Sequence, residues 1–146
     1  MGLARVLKRV MNVLKPRFKT PDEVDTVFYE AFRHCDPDVM AGLWADTDVV
    51  CVHPGAPAIV NYDAIIRSWA NIFRNTDSTD IGQTVINRVV SNELAVFVVA
   101  EEILSSGTVT AVVLATNVYR KFDSGWLMIE HHASLVQNSS QGQRLQ

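Results

Sequence analysis

Residues 94–104 read LAVFVVAEEIL and residues 108–122 read TVTAVVLATNVYRKF, and the fold turns on these two stretches. Both are rich in Val, the second also in Thr, and Ser105-Ser106-Gly107 separates them, which predicts two long strands joined by a tight turn. Working outward, Ile81–Val90 reads as a preceding strand with a turn at Ser91-Asn92. Trp126–Gln137 reads as a last strand after Asp123-Ser124-Gly125. A sheet with one wet face alternates apolar and polar residues. These strands do not: Val96, Val98 and Ala100 lie on one face, and Phe97, Val99 and Ile103 on the other. Val112 and Leu114 oppose Ala111, Val113 and Ala115 in the same way. Both faces of the sheet therefore need cover. Helices serve for one, and a second subunit is the simplest cover for the other. The expectation is a homodimer through the outer sheet face, with Val113 and Ile129 on that face.

The helices come first in the chain. Thr20-Pro21-Asp22-Glu23 combines an N-cap, a proline suited to the first helical position and two acids at the positive end of the dipole. Val24, Val27, Phe28, Ala31 and Phe32 then form a helical stripe ending near His34. Asp36-Pro37-Asp38 opens a short second helix through Met40, Leu43 and Trp44. Asp48–His53 reads as a short strand stopped by Pro54-Gly55, and Tyr62–Phe73 as a third helix. Helices followed by a run of hairpins predict an α+β fold, an antiparallel sheet with helices on one face.

The chain has 146 residues, of which 48% are hydrophobic and 20% charged, which suits one globular domain. Cys35 and Cys51 cannot build a disulfide framework and show no CxxC spacing. No apolar run reaches the roughly 18 residues a membrane span needs, and a cytoplasmic protein is expected. Charge divides the chain sharply. Residues 1–20 hold six basic groups and no acid, so the remainder carries a net charge of −9. That acidic body argues against nucleic acid as a partner.

In the basic head, Leu3, Val6, Leu7, Val10, Met11, Leu14 and Phe18 recur at three- and four-residue steps, which predicts an amphipathic helix over residues 1–20. Packing on the body or on a dimer mate is the favoured reading. Docking on a membrane surface through residues 1–19 and a serine-poor transit segment are the alternatives. A secretory signal is disfavoured because Lys8 and Arg9 interrupt the apolar run. Residues 21–137 form the main domain, and 138–146 a polar tail.

Four segments together carry a family resemblance. They are Met40-Ala41-Gly42-Leu43-Trp44, Val50-Cys51-Val52-His53-Pro54-Gly55, Tyr62–Trp69, and Gly125–Ser134 with its paired His131-His132. The pattern resembles the SnoaL-like branch of the nuclear-transport-factor-2-like (NTF2-like) superfamily over about Pro21 to Gln137. The resemblance implies a cone: a curved antiparallel sheet wrapped on about three helices, with a pocket inside, usually dimeric. Isomerases, dehydratases, cyclases and non-catalytic association domains share this fold, so it does not select a reaction.

In the family a histidine follows the last-strand tryptophan by six residues, which implies His132 here. A three-residue loop at Asp123-Ser124-Gly125 would set Phe122 opposite Trp126, Thr116 opposite His132, Val118 opposite Glu130 and Leu114 opposite Ser134. Glu130, His132, Ser134 and Thr116 then share a face, expected to be the pocket face. His53 and His132 would be the acid–base pair, with Glu130 orienting, because imidazole titrates near neutrality. Trp44, Trp69 and Tyr29 would wall a small apolar, carbonyl-bearing ligand beside Thr116 and Ser134. The bland alternative is that all are core residues of a filled association domain. Glu101 reads as a solvated strand end more readily than as a pocket group, and His34 and His131 as surface or interface groups. A metal site made by His53, His132 and Glu130 lacks an HxH or HExxH run, and neither metal nor cofactor is expected. Steroid isomerisation is disfavoured, since no tyrosine–acid pair can be placed by motif.

Overall fold

A computed structural model describes residues 17–137. The basic head is thus described only from Arg17 onward, and the tail of residues 138–146 lies outside the described residues. Helix α1 (Pro21–His34) is capped by the Thr20 hydroxyl, which accepts from the Glu23 N–H at 3.2 Å. Helix α2 (Pro37–Leu43) is capped by the Asp36 carboxylate, which accepts from two backbone N–H groups. After the short strand β1 (Val50–Val52), helix α3 (Tyr62–Phe73) is capped by Asn61. Strands β2 (Ile81–Val90), β3 (Leu94–Ser105), β4 (Thr108–Phe122) and β5 (Gly125–Leu135) complete one five-stranded sheet in the order β1-β5-β4-β3-β2.

The four long strands are antiparallel neighbours, as expected, but β1 joins β5 in parallel, so the sheet is mixed. The helices lie on one face, and their stripes fill a single core. Val24 and Phe28 of α1, Met40 and Leu43 of α2, and Ile65 and Trp69 of α3 meet Phe97, Val99 and Tyr119 of the sheet. Trp44 makes an isolated bridge to Met128, and the Ala45 N–H donates to the Met128 carbonyl, which ties the end of α2 to the last strand. At the open end of α1, Arg88 of β2 grips Asp22 through two nitrogens at 2.6 and 2.8 Å and lies over the Phe97 ring.

The last hairpin departs from the expected geometry in two compensating ways. Phe122 pairs with Gly125, so the loop has two residues rather than three, and Trp126 faces Lys121 instead of Phe122. A bulge then absorbs one residue of β5: Tyr119 pairs with Met128, while Val118 pairs with Glu130. Beyond it the register is the expected one, Thr116 with His132 and Leu114 with Ser134. The bulge also reverses which residues of β5 point inward. Met128 and His131 are both buried, although they are three positions apart, an offset that in a regular strand would put them on opposite faces.

The burial pattern corrects the assignment of faces, because the helices cover the side opposite to the one expected. Val113 is buried with Ala115 and Ala133 on the inner face, and Ile129 at the bulge is part of the core of its own chain. Neither belongs to the outer face. The outer face instead carries Val96, Val98, Ala100, Val112, Leu114, Thr116 and Val118, together with Glu130, His132 and Ser134.

Candidate functional site

The inner face of β3, β4 and β5 presents Glu101, Asn117, Tyr119 and His131, and α1 lays Asp25 and Tyr29 against them. All six are buried; Tyr29, Asn117 and Tyr119 have no exposed surface. Asp25 and Tyr29 are four residues apart and so share one side of the helix. The six side chains form one hydrogen-bonded chain. His131 Nδ1 lies 2.6 Å from Asn117 Oδ1, and Asn117 Nδ2 donates to the Tyr29 hydroxyl at 3.0 Å. Tyr29 donates to Glu101 Oε2 at 2.7 Å. On a branch, Asp25 Oδ1 accepts from Tyr119 at 2.6 Å and from Asn117 at 3.3 Å. Because the amide nitrogen is committed to donating, Asn117 Oδ1 is the acceptor and His131 carries its proton on Nδ1.

Electrostatics follow from burial. Glu101 is pushed up to about 7, chiefly by desolvation and further by the charge of Asp25, against the pull of the Tyr29 hydroxyl. Asp25 is raised by burial, opposed by its bonds from Tyr119 and Asn117. Burial, helped by the other histidines, drives His131 down to about 3, so its ring is neutral. Both tyrosines are raised and stay protonated as donors. The arrangement is an acid held near its titration point, a neutral imidazole and two phenols, wired together through one amide.

Next to it stands an aromatic wedge. Trp69 meets Phe28, Phe32 and His53 edge-on, with centroids 5.5, 5.3 and 4.8 Å away, and tilts toward His131 at 5.7 Å. His53 Nε2 is 2.9 Å from the Ser68 hydroxyl, which itself donates to the Ile65 carbonyl, so His53 is the donor in that pair. Burial lowers the His53 pKa. The Cys51 thiol, 3.8 Å from the same nitrogen, is pushed up to about 12 by burial and is a poor nucleophile.

The structure therefore separates the residues that the sequence grouped. His53, Tyr29 and Trp69 are on the inner side. Trp44 is fully buried at the end of α2. His132, Glu130, Thr116 and Ser134 do share a face, as the register required, but it is the outer one, and His132 and Ser134 are exposed there. The structure thus sets His53 and His132 on different sides of the sheet rather than together, and His53, His132 and Glu130 do not converge on a metal. Among the described residues no group of three His, Cys, Asp or Glu side chains is placed to hold a metal ion. His131, read as a surface group, is the inward histidine, and Glu101 points into the cone. Asp25 and Asn117 were missed. A buried carboxylate at helix position 25 looks from the sequence like any polar residue beside a helix stripe, and Asn117 interrupts an otherwise apolar strand run. That interruption, on the same parity as Glu101's cross-strand partner Val113, was the available signal.

Residues 23–138 match the SnoaL-like domain family. A solved structure from Thiobacillus denitrificans, a candidate calcium/calmodulin-dependent protein kinase type II association domain, is 31% identical. The similarity covers 84% of this chain and 99% of that one, with a TM-score of 0.79. A candidate dehydratase of the NTF2-like family from Streptomyces avermitilis is 33% identical, covering 82% of this chain and 100% of that one, with a TM-score of 0.70. Among curated proteins, the F-box protein SKIP8 of Arabidopsis thaliana is 29% identical over 115 residues, 77% of this chain. The match spans 48% of that relative, about half its length. With a mixed sheet wrapped on three helices, an inward polar chain and a family match over most of its length, this chain belongs to the SnoaL-like domain family of the NTF2-like superfamily.

Proposed function

We propose that this is a non-catalytic association domain, filled inside and paired with a second copy through its outer sheet face. The observation that carries this reading is the character of that face. Val96, Val98, Ala100 and Val112 run across the middle of the sheet with no described helix over them, and Leu114 beside them is 39% exposed. A contiguous apolar patch of this kind is characteristic of an interface. The same face carries Arg120 and Glu130, so a twofold axis can set one copy's cation against the other's carboxylate. Inside, Asp25, Tyr29, Glu101, Asn117, Tyr119 and His131 bond to one another, and Tyr29, Asn117 and Tyr119 have no exposed surface. The likeness to the Thiobacillus association domain supports the same reading. The free thiols of Cys35 and Cys51 suit a reducing compartment such as the cytoplasm, and no helix among the described residues is long and apolar enough to cross a membrane.

Light scattering on the size-exclusion peak tests the proposal. At micromolar concentration the chain should run as a dimer and Val98→Glu as a folded monomer, since an unpaired carboxylate in the contact costs several kcal/mol. A wild-type monomer overturns it.

A second reading is favoured by one observation, the buried Glu101 acid poised near neutrality beside a neutral imidazole. Such groups suit acid–base work on a small apolar carbonyl ligand, and the likeness to the Streptomyces dehydratase points the same way. It requires the cone to open. Saturable binding of a cyclic enone, abolished by Glu101→Gln but not by Val98→Glu, would establish it in place of a filled core.

A further inference from the structure

His132 stands in the middle of the outer sheet face. The strand registers set Val52, His132, Thr116, Val98 and Asn87 in one row across all five strands. His132 is therefore two strand spacings, about 10 Å, from Val98 in the apolar patch. Its side chain is exposed. Along β5 its neighbours on the same face are Glu130 and Ser134, and across the strands they are Val52 and Thr116. Few charges surround it. Glu130 is the nearest carboxylate along its own strand. Arg120 lies four residues beyond Thr116 on β4, Glu102 pairs with Val112 at the far end of β3, and Asp48 comes four residues before Val52. Next in the chain and on the inner side, His131 is neutral, held down to about 3 by burial.

The apolar patch alone is too small to hold two copies together. Val96, Val98 and Ala100 on β3, with Val112 and Leu114 on β4, cover about 10 Å by 20 Å of sheet. Each partner in a stable complex buries about 800 Å². The outer face of β5, next to β4, must come under the second copy as well, and His132 with it. We infer that His132 is a proton-operated latch on this contact: two copies close over a neutral imidazole and part when it is protonated. The inference rests on the outer-face pairing proposed above.

The chemistry of the row sets the direction. An imidazole in water takes up a proton near pH 6.5. Under a second copy the imidazolium loses its water, and an unpaired charge costs far more to bury than a neutral ring. Glu130 offers little relief, because the contact commits it to the second copy's Arg120. The neutral ring needs only one donor and one acceptor, and the hydroxyls of Thr116 and Ser134, on the same face in both copies, supply either. Association therefore releases protons. Each copy contributes one imidazole, so up to two protons leave per dimer, and each weakens Kd by up to about tenfold per pH unit below the imidazole's titration point.

Sedimentation equilibrium of the full chain at about pH 8 and about pH 5.5 tests this, with circular dichroism at each pH to verify that the domain stays folded. The dimer Kd should rise between roughly tenfold and a hundredfold on acidification. His132→Asn changes an exposed position to a side chain that does not titrate. It should remain dimeric at about pH 8 and hold its Kd within about twofold at the lower pH. His34→Asn, an exposed histidine on α1 away from the sheet face, should keep the full wild-type response. A wild-type dimer whose Kd is the same at both pH values overturns the inference while leaving the pairing intact. A pH response that survives in His132→Asn, or that disappears in His34→Asn, also overturns it, by placing the proton elsewhere. A wild-type chain that is monomeric at about pH 8 removes the pairing itself, and the latch with it.

Discussion

His131 and His132 show how much one residue of backbone can decide. Both sit in an apolar strand, and the strand's run Trp126-Leu127-Met128-Ile129 is apolar at every position, so alternation cannot reveal that one residue is extra. All four are buried in the structure. The bulge they hide turns His131 inward, to Asn117, and His132 out to solvent. The consequence is measurable. Glu101, held near 7 against about 4.3 for a free glutamate, binds its proton more tightly folded than unfolded, so its contribution falls as pH rises from about 4.5 to 7. Asp25 acts with the same sign. His131, held down to about 3, binds its proton less tightly folded, so its contribution rises from about pH 3 to 6.5. The two slopes oppose each other in the shared window. Melting temperature between pH 4.5 and 6.5 should therefore change little in the wild type. It should rise with pH in Glu101→Gln and fall in His131→Gln, by amounts corresponding to a few kcal/mol. Parallel profiles in all three would mean that these groups are solvated rather than buried.

At the scale of elements, the helices were legible because their ends are written in local chemistry. Thr20, Asp36 and Asn61 each cap as their residue types predict, since a short side-chain acceptor satisfies N–H groups that the helix cannot. The ends of the long strands were legible as well, whereas the register beyond the last turn came out as expected only because the shorter loop and the bulge cancel. The turn itself was not, because Asp123-Ser124-Gly125 fits either a two- or a three-residue loop and the deciding contact is tertiary. Gly125 has φ +120°, and a Cβ there would lie 2.5 Å from the Phe18 carbonyl oxygen, while the Trp126 N–H donates to that same oxygen at 2.9 Å. Gly107 at the other hairpin also has positive φ, +78°, but open space around it. Gly107→Ala should cost about 1 kcal/mol, the conformational strain alone. Gly125→Ala adds a collision with backbone that cannot rotate away, and should cost at least twice as much. Urea unfolding of the two variants checks the order. Equal costs would show that residues 17–20 yield readily and are not a fixed part of the last hairpin.

For the whole molecule, the sequence revealed that both sheet faces are apolar but not which face the helices take, because an all-apolar pattern has no parity to read. Glu101 and Asn117 lie on the covered face, so Glu101, which seemed to mark solvent, marks the interior instead. Adjacent positions on β4 now give a sharp test of this assignment. Val113 is 7% exposed and is the cross-strand partner of Glu101, so Val113→Glu places a second carboxyl beside a buried acid. That leaves two groups competing for one proton in a low-dielectric site, a cost of several kcal/mol out of a total stability of about 5–15 kcal/mol. The variant should unfold or accumulate as aggregate. Leu114→Glu, one residue on, points the same side chain outward into the proposed dimer contact. It should keep the wild-type circular dichroism spectrum and lose only association. Because a dimer is stabilised by mass action, the wild-type melting temperature should climb as protein concentration is raised a hundredfold, whereas that of Leu114→Glu should stay level. A wild-type melt independent of concentration, together with a Leu114→Glu variant indistinguishable from it, would leave the outer face without a second copy and return the weight to the acid network inside.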